Sequence, residues 1–184
     1  MLPPMRLLLV CVLTGVCANF VFSQGAPSSA ARLTAPLGHV SKGGNFAILL
    51  PVDVTAQRLI GSSPGNRGGI QYFWRTSEGE FFVSFFDSTE KSADAKQELT
   101  AMSNNYLSGV TKNGGKLLEK KDLTLEPTYP GLQIKASLKT GETVVIRYYS
   151  VGKRTFIVST RWNAKETGET QLKVLDSFKL LSSK

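Results

Sequence analysis

Glu80-Phe81-Phe82-Val83-Ser84-Phe85-Phe86-Asp87 decides the architecture. Side chains alternate along a strand, so Phe81, Val83 and Phe85 share one face and Phe82 and Phe86 the other. Aromatics on both faces predict a central strand covered on both sides. An exposed aromatic strip used for binding is the functional alternative for the same residues.

Following the chain forward, Ser92 is expected to cap a helix. Ala95, Leu99, Met102, Tyr106 and Val110 then recur at helical spacing and form one apolar face. Asp94 and Glu98 near its start and Lys112 at its end suit the helix dipole, and Asn113-Gly114-Gly115 stops it. Strands are expected at about Lys116–Leu125, Leu132–Leu138, Thr143–Val151 and Arg154–Trp162, with turns at Thr140-Gly141 and Gly152-Lys153. Glu169 to Phe178, carrying Leu172, Val174, Leu175 and Phe178, reads as a short amphipathic helix that runs into Lys179-Leu180-Leu181.

Following it backward, Asn45-Phe46-Ala47-Ile48-Leu49-Leu50-Pro51 is a short apolar strand, and Ile70 to Trp74 is another. The Gly-rich stretch 61–69 between them lacks the Lys-Ser/Thr ending and the following helix of a phosphate-binding loop, so it serves as a connection. Strands, a long helix, a meander and a last helix argue an antiparallel α+β domain rather than a doubly wound parallel one.

The N-terminus carries a different signal. Arg6 precedes the apolar run Leu7 to Leu13, and small and mixed residues lead to Ser23: a secretory signal peptide over residues 1–23, too short and interrupted for a membrane span. Residues 24–44, rich in Ala, Ser, Gly and Pro, read as a flexible linker that contains the lone histidine, His39. Residues 45–184 form the domain. Cys11 and Cys17 both fall in the leader, so the mature chain has no cysteine. That suits a protein of the periplasm or the exterior that folds without disulfides. Val16 disfavours Cys17 as a lipidated first residue. No membrane span is expected once the leader is gone, and the mature protein is expected to be a monomer.

Those losses exclude much chemistry. Without cysteine, and with one histidine in a linker, neither a Cys-His pair nor a Ser-His-Asp triad can be assembled, and zinc lacks ligands. No cofactor is expected. Glu78 with Glu80, or Glu119 with Asp122, leave a small carboxylate-dependent hydrolase as the enzymatic alternative. Asp53, Asp87 and Glu126 sit at strand ends, but no loop has the spacing of a calcium site.

The formal charge is +8, or +7 once Arg6 leaves with the leader. A basic exported protein is drawn to anionic headgroups, wall polymers or acidic partners. The densest basic group is Lys112, Lys116, Lys120 and Lys121. If three-residue connections close both C-terminal hairpins, Lys135, Arg147, Tyr149 and Arg161 share a sheet face and form a candidate anion site. On that same register Ile134, Ala136, Leu138, Val144, Ile146, Tyr148, Phe156, Val158, Thr160 and Trp162 line the other face. A two-residue turn at Gly152-Lys153 shifts the last strand by one and breaks the cluster. Tyr72, Phe73, Trp74 and Tyr149 beside cations suggest base stacking, but nucleic acid is not an expected partner of an exported chain.

One family resemblance draws these segments together. Asn45 to Pro51, Gly115-Lys116-Leu117-Leu118, Tyr129-Pro130-Gly131-Leu132, Arg147-Tyr148-Tyr149-Ser150-Val151-Gly152-Lys153-Arg154 and Asp176-Ser177-Phe178-Lys179-Leu180 resemble the PsbP-like domain. That domain is shared with Mog-type Ran-binding proteins and with bacterial exported proteins of unknown role. The resemblance implies a central antiparallel sheet with helices on both faces, and an accessory or binding role without catalysis. It carries neither photosystem nor Ran binding to this chain.

Overall fold

A computed structural model describes residues 37–50, 55–60, 70–76, 79–88 and 93–181. The leader, most of the linker, the Gly-rich connection, Asp53, Glu78 and Ser92 lie outside the described residues.

The strands are β1 (Leu37–Ser41), β2 (Phe46–Leu50), β3 (Thr55–Ile60), β4 (Ile70–Thr76), β5 (Gly79–Asp87), β6 (Lys116–Leu125), β7 (Tyr129–Ser137), β8 (Glu142–Val151), β9 (Arg154–Asn163) and β10 (Lys179–Leu180). Helix α1 (Ala95–Lys112) joins β5 to β6, and α2 (Glu169–Asp176) precedes β10. The main sheet runs β3-β4-β5-β9-β8-β7-β6 with every neighbour antiparallel. A small sheet, β1-β2-β10, is antiparallel too. The architecture is therefore α+β.

Strand β5 carries the division between layers. Phe81, Val83 and Phe85 are buried with Phe46, Ile48 and Leu50 of the small sheet and with Val174, Leu175 and Phe178 of the α2 region. This side is the inner face. Phe86 packs on the opposite side, the helix face, where Leu99, Met102, Tyr106 and Val110 of α1 meet Ile134, Ile146 and Tyr148. Each predicted apolar stripe thus finds a sheet face, and burial of those stripes drives the two layers together.

Three local expectations need correction. The α1 N-cap is Asp94, whose carboxylate accepts from the Gln97 N–H at 2.9 Å. An ionised oxygen at that position satisfies an orphan donor and complements the helix dipole. Second, the expected linker over residues 24–44 ends early. Leu37–Ser41 is strand β1, paired with β2 from Leu37↔Leu50 to Ser41↔Phe46. The Ser41 hydroxyl accepts from the Gly44 N–H in the intervening turn. Its composition is loop-like, but pairing with β2 across the turn at residues 42–45 overrides weak local preference. Third, β3 carries no clear sequence signal and forms by pairing with β4.

The chain's end is stitched to β2. The Ser177 hydroxyl accepts from the Leu49 N–H at 2.8 Å, and Phe178 behind it is buried. This gives the Ser-Phe pair near the C-terminus a physical role: one residue ties the helix end to the small sheet and the next fills the core.

Candidate functional site

Register settles which residues of the predicted anion cluster meet. The β7–β8 connection is Lys139-Thr140-Gly141, closed by Leu138 and Glu142, with Gly141 at φ +82°. The β8–β9 connection is only Gly152-Lys153, because Val151 pairs with Arg154. Glycine at φ +64° in its first position suits a two-residue hairpin turn. One residue fewer moves the whole of β9 to the other pleat. Phe156, Val158, Thr160 and Trp162 therefore share the inner face with Lys135, Arg147 and Tyr149, opposite to the expected sharing with Ile134 and Ile146. Arg161 turns to the helix face.

Lys135, Arg147 and Tyr149 remain together on the inner face. Arg147 donates from Nε to Gln133 Oε1 at 2.8 Å and from Nη2 to Asp176 Oδ1 at 2.6 Å. Its side chain is only 11% exposed, so α2 supplies the countercharge that the burial demands. Tyr149 stacks on Phe178 with planes 3° apart and centroids at 5.8 Å. Burial pushes its hydroxyl above the ordinary tyrosine range, against a downward pull from Arg147. Lys135 lies across from Glu119 on β6.

Arg161 sits among acids instead. Its Nη2 meets Glu80 at 2.5 Å and its Nε meets Glu142 at 3.3 Å, while Arg75 also binds Glu80. The other described carboxylates weighed as catalytic or calcium-binding are likewise paired, apart from Glu126: Glu119 with Lys121, Asp122 with Lys96, and Asp87 with Arg154. Among the described residues no group of three or more His, Cys, Asp or Glu gathers to hold a metal ion. A groove of about 290 Å³ lies between the start of α1 and the β6–β7 hairpin, with Lys96, Thr100, Asp122, Thr128 and Pro130 in its wall.

The aromatics weighed for base stacking do not form one exposed platform. Trp74 and Tyr149 are buried, and the Tyr72 hydroxyl is hydrogen-bonded to Ser41 with its ring stacked on Trp74. Phe73, on the other pleat, has Arg75 over its ring at 5.7 Å. His39 packs edge-on to Tyr72 and Trp74, and burial lowers its pKa.

Sequence reasoning missed Arg154. Its guanidinium forks onto both Asp87 oxygens at 2.6 and 2.8 Å, reaches the Gly43 and Gly44 carbonyls, and lies 4.6 Å from the Phe85 ring centre. It ties the main sheet to the β1–β2 turn, and it was visible beforehand only as a residue flanking a hairpin turn. Among the described residues no helix is long and apolar enough to cross a membrane.

An antiparallel sheet with one long helix on one face, and a small sheet with a short helix on the other, is the PsbP-like fold. The solution structure of cyanobacterial PsbP (CyanoP) from Synechocystis sp. PCC 6803 matches with a TM-score of 0.59 at 11% identity, over 85% of this chain and 98% of that one. A Pseudomonas aeruginosa protein of unknown function, PA94, aligns at 11% identity and TM-score 0.47 over 82% of this chain and 99% of its own. A Bacteroides thetaiotaomicron structure aligns at 13% and 0.43 over 82% of this chain and 50% of its own. No family model and no curated protein matches the chain.

Proposed function

We propose that this protein is an exported, non-catalytic accessory protein of the cell envelope, monomeric, that binds an anionic envelope component or a protein partner. The observation that carries the reading is the state of its acids. The described residues of both candidate carboxylate pairs, Glu80, Glu119 and Asp122, each meet an arginine or lysine. A glycosidase-type mechanism needs one carboxyl free to give a proton and another free to attack or to activate water. Here each is engaged in an ion pair: Glu80 between β4 and β5, Asp122 between β6 and α1, and Glu119 within β6. The leader-like N-terminus, the cysteine-free remainder and the net positive charge support export and attraction to anionic surfaces. The Lys135–Arg147 strip serves an anionic group only in exchange for Asp176.

The test is retention from the producing cell's envelope extract on the exported, processed protein, at low and at moderate salt. One component held specifically is the expected result. Turnover of an ester or glycoside substrate that stops on Glu80→Gln would replace the reading with the hydrolase.

A further inference from the structure

We propose that the edge formed by β6 and the C-terminal end of α1 docks onto an anionic lipid bilayer. This rests on the accessory reading above and names its partner by chemistry.

Leu117 and Leu118 are 47% and 53% exposed, and they are adjacent. Four exposed lysines lie along the same edge. Lys116 precedes them on β6, and Lys112 ends α1. Lys120 reaches Asn104 of α1 at 3.1 Å. The Lys139 stem lies over Gly114, where an added Cβ would sit 3.4 Å from its Cδ. Among the described residues none of these four forms an ion pair, whereas Lys96 and Lys121 beyond them are neutralised by Asp122 and Glu119. The edge thus carries two exposed aliphatic side chains and, along the α1–β6 turn and the same stretch of β6, four ammonium groups without an ion pair among the described residues.

The edge is unsuited to a further strand. Leu117 pairs with Ala136 and Glu119 with Lys135, which leaves Leu118 as the extra residue of a β-bulge. A bulge disrupts the ladder and twists the edge, and edge lysines repel an incoming strand. It is equally unlike a protein interface, whose buried centre favours aromatics and arginine and is depleted in lysine. Leucine within lysine is the chemistry of a membrane surface. The apolar tips enter the headgroup boundary while long stems carry ammonium groups to the lipid phosphates.

The experiment is co-sedimentation of the exported, processed protein with phosphatidylglycerol-containing vesicles and with pure phosphatidylcholine vesicles. Each lysine near an anionic bilayer strengthens partitioning about fivefold. Replacing Lys112, Lys116, Lys120 and Lys139 by Gln is therefore expected to weaken binding to the anionic vesicles by well over about tenfold. Leu117→Ser with Leu118→Ser, at exposed positions that leave the fold intact, is expected to weaken it as well. Circular dichroism confirms folding of each variant, and the leucine pair decides alone if the lysine variant does not fold. Equal binding to both vesicle types, no binding to either, or undiminished binding by the lysine variant overturns the proposal. So does loss with the lysine variant alone, which would define a site for a soluble polyanion. A component retained from envelope extract despite such a failure would leave the accessory reading standing.

Discussion

The Arg147 guanidinium of β8 and the Asp176 carboxylate at the end of α2 meet at 2.6 Å, closing the most basic part of the inner face from within. The arginine is nearly buried and the aspartate is 65% exposed, so the pair lies between a surface and a core ion pair. Asp176→Asn is expected to cost about 1 kcal/mol, read from urea unfolding midpoints. It should also give Arg147 a measurable affinity for inorganic phosphate that the unaltered protein lacks. A phosphate affinity equal in both proteins would show that Asp176 does not guard the site.

Phe178 joins α2 to the rest of the core, touching Phe46, Tyr149 and Phe156. Phe178→Ala removes a buried ring from a contact point of three elements. A loss of about 3–5 kcal/mol is expected, measured by chemical denaturation. A loss below about 1 kcal/mol would mean that the C-terminal segment does not belong to the cooperative core.

Gly131 lies directly across from Tyr149, and a Cβ there would fall 2.5 Å from the ring. Gly131→Ala must displace a tyrosine already stacked on Phe178, at an expected cost of about 1–3 kcal/mol. Restoring stability with Tyr149→Leu in the same chain would locate the strain in that contact, and additive losses would not.

His39 is held among Phe46, Tyr72 and Trp74 with its pKa lowered by burial. The folded state therefore prefers the neutral ring, while the unfolded chain binds a proton near the ordinary 6.5. Stability is level above that pH and falls as pH drops below it, until the folded histidine itself titrates. His39→Phe should flatten this part of the profile when melting temperatures are compared on either side of pH 6.5. An unchanged slope would assign it to other groups.

The sequence made the helices and the four C-terminal strands legible because their apolar periodicity is strong and local, as in Leu99, Met102, Tyr106 and Val110. Register was less legible. Whether Arg161 joined Lys135 and Arg147 depended on one residue in the Gly152-Lys153 turn, and the shorter turn sent it to Glu80 and Glu142. Strands β1 and β3 were hidden because neither carries an apolar alternation of its own, and each forms by pairing with the strand that follows it. His39 looked like a linker residue for the same reason. The neutralisation of Arg147 could not be read at all, since Asp176 is 29 residues away and reaches it only through the packing of α2.

The measurement that tests the account most directly is fractionation of the producing cell, with the N-terminus of the recovered protein sequenced. A processed chain beginning near Gln24, in the envelope fraction and released by salt without detergent, is the expected result. An intact chain beginning at Met1 in the cytoplasm would contradict it.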